Sequence, residues 1–259
     1  MNASTVLADD AVVRTSFDPE APVDIALAPV LSLLSTQGCP GNDASIRVLM
    51  RAVAATGLLD IGLDALLAET HGWPAACADS ARSARLLFDA AVDDIATLCP
   101  AAARHLCDQR HAMETLARGR RTIANERLLQ ALRRGTATVV LPDRDRLPLS
   151  GELLPDGRLR ISGIDLPVHG SPLGAALVLV VRLSNGGEVV GWTGLTAGQV
   201  VPVADRGDAE WCGRITAQEC FIGADEVISS TRGGAAFAYS LAAPGSSGGN
   251  NDISIDISR

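Results

Sequence analysis

The periodicity of the chain changes once, at Gly135, and that change constrains the fold more than any other feature. Before it, apolar residues recur every three or four positions, as on one face of a helix. After it, from Gly135 to Ser229, short apolar runs are broken by Pro155-Asp156-Gly157 and Asn185-Gly186-Gly187, which are hairpin signals. Helices first and short strands afterwards imply segregated layers rather than alternating βαβ units. The expected class is α+β, an N-terminal helical domain followed by a small antiparallel β domain. The expected divisions are a loose acidic leader over 1–22, a helical domain over 23–135, a β domain over 136–229 and a Gly/Ser-rich linker and tail over 230–259. In the tail, Ile253, Ile255 and Ile257 alternate with polar residues, which leaves an added edge strand as the alternative to disorder.

Individual elements follow from local signals. A first helix is expected over 23–35. Asn42 or Asp43 caps a second, with Ile46, Leu49, Met50, Val53 and Ala54 on one face and Gly57 as its stop. Residues 58–70 read as a further amphipathic piece. The next helix, over 79–98, carries a stripe assigned to Leu86, Leu87, Ala90, Ala91, Ile95 and Leu98. Pro100 opens another that runs to about Arg118. The last carries Ile123, Leu128, Leu129 and Leu132 and ends at Gly135. Strands are expected over 136–141, 147–154, 158–161, 177–183, 188–192, 199–203 and 215–222.

Composition narrows the chemistry. The net charge of −8 argues against nucleic acid as a partner, because a phosphate backbone demands a concentrated basic surface. The 22 basic residues are all arginine, which excludes a Schiff-base lysine, a pyridoxal-phosphate anchor and a P-loop. The six cysteines form no Cys-x-x-Cys pair, and they read as small apolar filler in a reducing cytoplasm rather than as a disulfide framework. Neither a signal peptide nor a membrane span is evident.

Few side chains suggest a site. His105 and His111 are six apart on one expected helix, so they share no face for a metal, and they read as surface histidines. Asp143, Arg144, Asp145 and Arg146 read as a solvated turn. Arg118, Arg120, Arg121, Arg127, Arg133 and Arg134 crowd the end of the helical part. They read as a solvated face, with docking of an acidic partner as the functional alternative. His169 stands in 165–174, a segment read as irregular between strands, and is the candidate general acid or base.

Four stretches resemble the acyl-CoA dehydrogenase family. Leu-Leu-Gln-Ala-Leu-Arg-Arg-Gly over 128–135 is similar to the helix end before that family's β domain. Asp-Gly-Arg-Leu-Arg-Ile-Ser-Gly over 156–163 resembles its hairpin, and 176–181 and 214–228 resemble its later strands. The resemblance spans about 44–228. It implies a helical domain, a β domain and a C-terminal bundle, with FAD between the latter two and α,β-dehydrogenation of an acyl thioester as the reaction. It also places the region of His169 near flavin and substrate. The sequence ends where the bundle would begin, so a truncated form is implied, lacking the family's glutamate base. The flavin-contacting positions would fall near 140–151 and at Ile164-Asp165-Leu166-Pro167, where the family pattern is not matched. The expectation is therefore an acyl-CoA dehydrogenase-like protein that acts on or binds an acyl thioester of coenzyme A or a carrier protein, not autonomously redox-active, with FAD as the implied cofactor. The alternatives are a non-redox cyclase or isomerase using the old acyl cleft, and a non-catalytic subunit. A second subunit or a homo-oligomer is the expected assembly.

Overall fold

In the computed structural model the described residues are 23–39, 43–63, 76–142, 149–169, 176–195, 200–202 and 212–231. The helices are α1 (Val23–Gln37), α2 (Asp43–Thr56), α3 (Ala76–Leu98), α4 (Pro100–Arg118) and α5 (Ile123–Arg133), with a 3-10 turn at Leu58–Asp60. The strands are β1 (Val139–Val140), β2 (Leu149–Leu153), β3 (Leu159–His169), β4 (Ala176–Leu183), β5 (Glu188–Gly194), β6 (Val200–Pro202), β7 (Cys212–Ile222) and β8 (Val227–Thr231). The leader over 1–22, the tail beyond 231 and most of 58–70 lie outside the described residues.

Local chemistry accounts for the element ends. Gly57 follows α2 at φ 77°, and Gly135 follows α5 at φ 63°. Gly135 has a second reason to lack a side chain: a Cβ there would stand 2.5 Å from the Met50 carbonyl oxygen. Thr122 caps α5, its Oγ1 accepting from the Asn125 N–H at 3.1 Å. Cys99 caps α4 in the same way, its Sγ accepting from the Ala102 N–H at 3.4 Å.

The stripe on α3 differs from expectation. Leu86 is 65% exposed and Leu98 44%, while Ala84, Phe88, Ala91, Val92 and Ile95 are buried. The buried face follows the spacing 84, 88, 91, 92 and 95; Ala91 and Ile95 of the expected stripe lie on it, whereas Leu86, Ala90 and Leu98 do not. α1 packs on α2 and α3, α3 on α4 and α4 on α5.

The described strands form one sheet in the order β6-β7-β3-β2-β4-β5-β8, with β1 alongside β4. The α+β architecture is as expected, but the sheet is mixed: β4 runs parallel to both β1 and β2. The two hairpins each close locally, and nothing local specifies how they sit side by side. Both use the same device. Leu154 N–H donates to Arg158 O and Gly157 N–H to Leu154 O, with Gly157 at φ 82°. Leu183 N–H donates to Gly187 O and Gly186 N–H to Leu183 O, with Gly186 at φ 80°.

β4 is apolar from Ala176 to Val181, where both of its faces are covered. Ala176, Val178 and Val180 join the core shared with the helices, whereas Leu177, Leu179 and Val181 join a second core made by the strands. Gln109 of α4 extends this docking. Its Nε2 donates to Val139 O at 2.7 Å and its Oε1 accepts from Val139 N–H at 3.0 Å, so a side-chain amide serves β1 as a strand neighbour would.

Candidate functional site

His169 is the last residue of β3, in register with Cys212 of β7, so it stands at a strand end and not within an irregular loop. β3 runs on from the strand expected over 158–161, through Pro167, to His169, because it pairs with β7 along its length. Asp165 precedes it on the same strand, exposed, and accepts two hydrogen bonds from the Arg214 guanidinium. Asp143–Arg146 lie outside the described residues.

His105 is buried within α4, contrary to its expected place on the surface. Burial disfavours the imidazolium and lowers its pKa to about 4. Helical periodicity puts His105 on the side of Ala102, Leu106 and Gln109, a phase that only the packed structure makes visible. Burial, then the Asp108 and Asp89 charges, pushes the Cys107 thiol up to about 11, which removes it as a nucleophile. Cys39 and Cys99 form a disulfide across 60 residues of sequence, correcting the expectation of apolar filler. Their Cα atoms are 5.4 Å apart because the end of α1 meets the start of α4, a proximity that sequence spacing does not encode.

A buried ionic cluster ties α3, α4 and the 3-10 turn together. Arg110 donates through Nε to Glu114 Oε1 at 2.7 Å and through Nη1 to Leu59 O at 2.8 Å, and its guanidinium lies 5.5 Å from the Phe88 ring centroid. Arg85 adds a second bond to Glu114 at 3.1 Å. Burial alone would raise the Glu114 pKa; the Arg110 hydrogen bond and the Arg110 and Arg85 charges outweigh it and hold the carboxyl below its usual range. The cluster is structural, since every polar atom named is spent on another part of the fold.

The junction of α4, α5 and the sheet is built differently. The cap Gly119 lies against β8, where a Cβ would come within 2.3 Å of Ile228 Cγ2. Arg120 N–H donates to Ile228 O at 2.6 Å. Asn125, 2% exposed, donates to Arg120 O at 2.9 Å and Val227 O at 3.1 Å, and accepts from Trp192 Nε1 at 2.8 Å. Thr122 Oγ1 donates to Asp225 O. Beside this network is an open cavity of about 260 Å³ whose lining combines the apolar Leu116, Ala117 and Leu129 with Arg120, Arg121 and Arg133, and is completed by Asn125, Glu126 and Gln130. The arginines were singled out in the sequence; the cavity, Asn125 and Trp192 were not. A capping Thr122 three residues before Asn125 was the only local signal. The sheet order separates this junction, which involves β5 and β8, from the β3–β7 pair that carries His169.

Among the described residues, no three or more His, Cys, Asp or Glu side chains converge to hold a metal. A flavin ring needs an apolar or aromatic platform and hydrogen-bonding groups at its polar edge. At the positions where the resemblance puts such contacts, Val140, Ile164 and Leu166 are buried in the sheet's inner core and Asp165 is committed to Arg214. A side chain at Gly151 would meet Val181 Cγ1 at 2.5 Å. Ser150 is the one hydroxyl among the described residues there, and there is no aromatic ring. These residues do not fit a flavin.

No protein-family model matches the chain, and no curated protein matches it in sequence. Its structure is similar to butyryl-CoA dehydrogenase from Megasphaera elsdenii, with a TM-score of 0.60 at 11% identity, covering 83% of this chain and 60% of that one. It is similar to glutaryl-CoA dehydrogenase from Mycobacterium smegmatis in complex with FADH2, with a TM-score of 0.53 at 10% identity, covering 79% and 54%. It is also similar to FMN-bound TdsC from Paenibacillus sp. A11-2, with a TM-score of 0.51 at 15% identity, covering 79% and 54%. At such identities the likeness establishes the fold, which is that of acyl-CoA dehydrogenase-like α+β proteins. The chain spans 54–60% of the length of these neighbours.

Proposed function

We propose that this chain, with its acyl-CoA dehydrogenase-like fold, binds an acyl thioester of coenzyme A or of an acyl carrier protein. The supporting observation is the likeness to two acyl-CoA dehydrogenases over 79–83% of the chain, helices and sheet together. FAD is the cofactor that the fold implies. The side chains at the expected flavin positions speak against a flavin seat made by the described residues alone, which favours a non-redox use of the acyl cleft, a cyclisation or isomerisation, as the second reading. In that reading His169 supplies the acid–base group, since an imidazole exchanges protons near neutral pH.

Two measurements test this. Titration calorimetry with butyryl-CoA should give saturable binding; absence of heat with both butyryl-CoA and a longer acyl-CoA overturns the thioester reading. Gel filtration after incubation with FAD should yield colourless protein. Flavin absorbance that co-elutes with the chain overturns the non-redox reading and restores the dehydrogenase chemistry.

A further inference from the structure

The junction of α4 and α5 departs sharply from the charge balance of the rest of the protein. The chain carries a net charge of −8, yet over 118–134 six arginines stand against one carboxylate, Glu126. Arg133 is partly neutralised by Asp60, to which its Nε donates at 2.7 Å. Arg120 and Arg121 are different: both are exposed, and among the described residues neither joins an ion pair. The Arg120 backbone is held on both sides, its N–H by Ile228 O and its carbonyl by Asn125 Nδ2. Its guanidinium therefore hangs from a fixed stem, which lowers the ordering cost of binding.

The same cavity is lined by the buried apolar Leu116, Ala117 and Leu129. A lining that joins two consecutive arginines to three aliphatic side chains suits a ligand with a charged and an apolar part. The volume of about 260 Å³ is just under the range typical of drug-sized ligands, so the ligand is small. Guanidinium forks match a phosphoryl group, whose oxygens accept from two donors at once.

We propose that this cavity binds a small amphipathic phosphate, with the phosphoryl group between Arg120 and Arg121 and a short aliphatic chain along Leu116, Ala117 and Leu129. Glu126 opposes the anion and sets an upper limit on affinity. The inference names a ligand class and holds whether or not the chain takes a thioester.

The test is calorimetric titration of the full chain with hexyl phosphate, with hexanol and inorganic phosphate as comparators. Hexyl phosphate should bind more tightly than either. Arg120→Gln and Arg121→Gln should each weaken it by about tenfold, and Glu126→Gln should tighten it. All three variants should keep the parental melting temperature, because the exchanged side chains are exposed and the Arg120 backbone bonds survive. Absence of hexyl phosphate binding, or binding that the Arg120→Gln/Arg121→Gln double variant leaves unchanged, overturns the proposal. Co-sedimentation with phosphatidic acid vesicles but not phosphatidylcholine vesicles, lost in the same double variant, would support the site and assign it to a lipid headgroup. Hexyl phosphate binding without co-sedimentation would support it as a site for a soluble phosphate.

Discussion

The indole N–H of Trp192, on β5, donates to Oδ1 of Asn125, on α5, at 2.8 Å. One buried amide thereby joins the helices to the sheet, since the same Asn125 also donates to the Arg120 and Val227 carbonyls. Asn125→Leu fills similar volume but leaves the indole N–H and two carbonyls without that partner. The expected cost is about 2–4 kcal/mol, from a penalty of roughly 1–3 kcal/mol for each buried polar group left unsatisfied and partial relaxation toward water. Urea denaturation measures it. A loss of less than about 1 kcal/mol would show that the amide is not the tie described.

Arg110 and Glu114 are a buried pair whose removal should be non-additive. Arg110→Leu strands the Glu114 carboxylate with only the half-exposed Arg85, and a cost of about 3–5 kcal/mol is expected. Replacing both by leucine should cost clearly less than the sum of the single changes, because no uncompensated charge remains. A double-mutant cycle by chemical denaturation reads the coupling, and strictly additive effects contradict the pairing.

His105 makes the fold sensitive to acid. Its folded pKa, about 4, lies below the unfolded value near 6.5, so the unfolded chain binds the proton first. The stabilisation is fully present above pH ~6.5 and is lost as pH falls through about 4. Its ceiling is about 3 kcal/mol. Glu114, whose folded pKa is lowered, loses stability in the same direction but below the ordinary carboxylate range. Melting curves between pH 7 and 4 should therefore show a slope that His105→Gln removes in the upper part of that window. An unchanged slope would mean that another group titrates there.

The Cys39–Cys99 disulfide closes a loop of 60 residues, for which the chain-entropy model gives a ceiling of about 4 kcal/mol. Cys99 also caps α4, so the variants must separate the two roles. Cys99→Ser keeps a capping oxygen, and Cys39→Ser leaves the cap untouched. The two should lose similar stability, and a reductant should destabilise the parent to the same level. If reductant leaves the parent's melting temperature unaltered, the crosslink contributes nothing under those conditions.

Much of the architecture was legible because it rests on local rules. Gly57 and Gly135 ended helices where positive φ is needed, and the two hairpins formed at Pro-Asp-Gly and Asn-Gly-Gly. Pro100 opened α4 as expected. The resemblance carried by 128–135 and 156–163 led to the fold that the structural neighbours share. The candidate site was less legible. The arginine run was visible, but Asn125 and Trp192 stand 67 residues apart and neither belongs to a motif.

By itself, the sequence determined the division into helices and then strands, the turns, and the exclusion of lysine-dependent chemistry, since each depends on residue identity or on spacing within a few positions. Tertiary structure decided the rest. It set the phase of α3, burying Phe88 and exposing Leu86, and it carried β3 on to His169. It placed β2 parallel to β4, brought Cys39 to Cys99, and buried His105. It also brought Leu129 and Arg120 to the lining of one cavity. Each of these depends on which surfaces meet across tens of residues, where the energy of burial, and not local propensity, selects the arrangement.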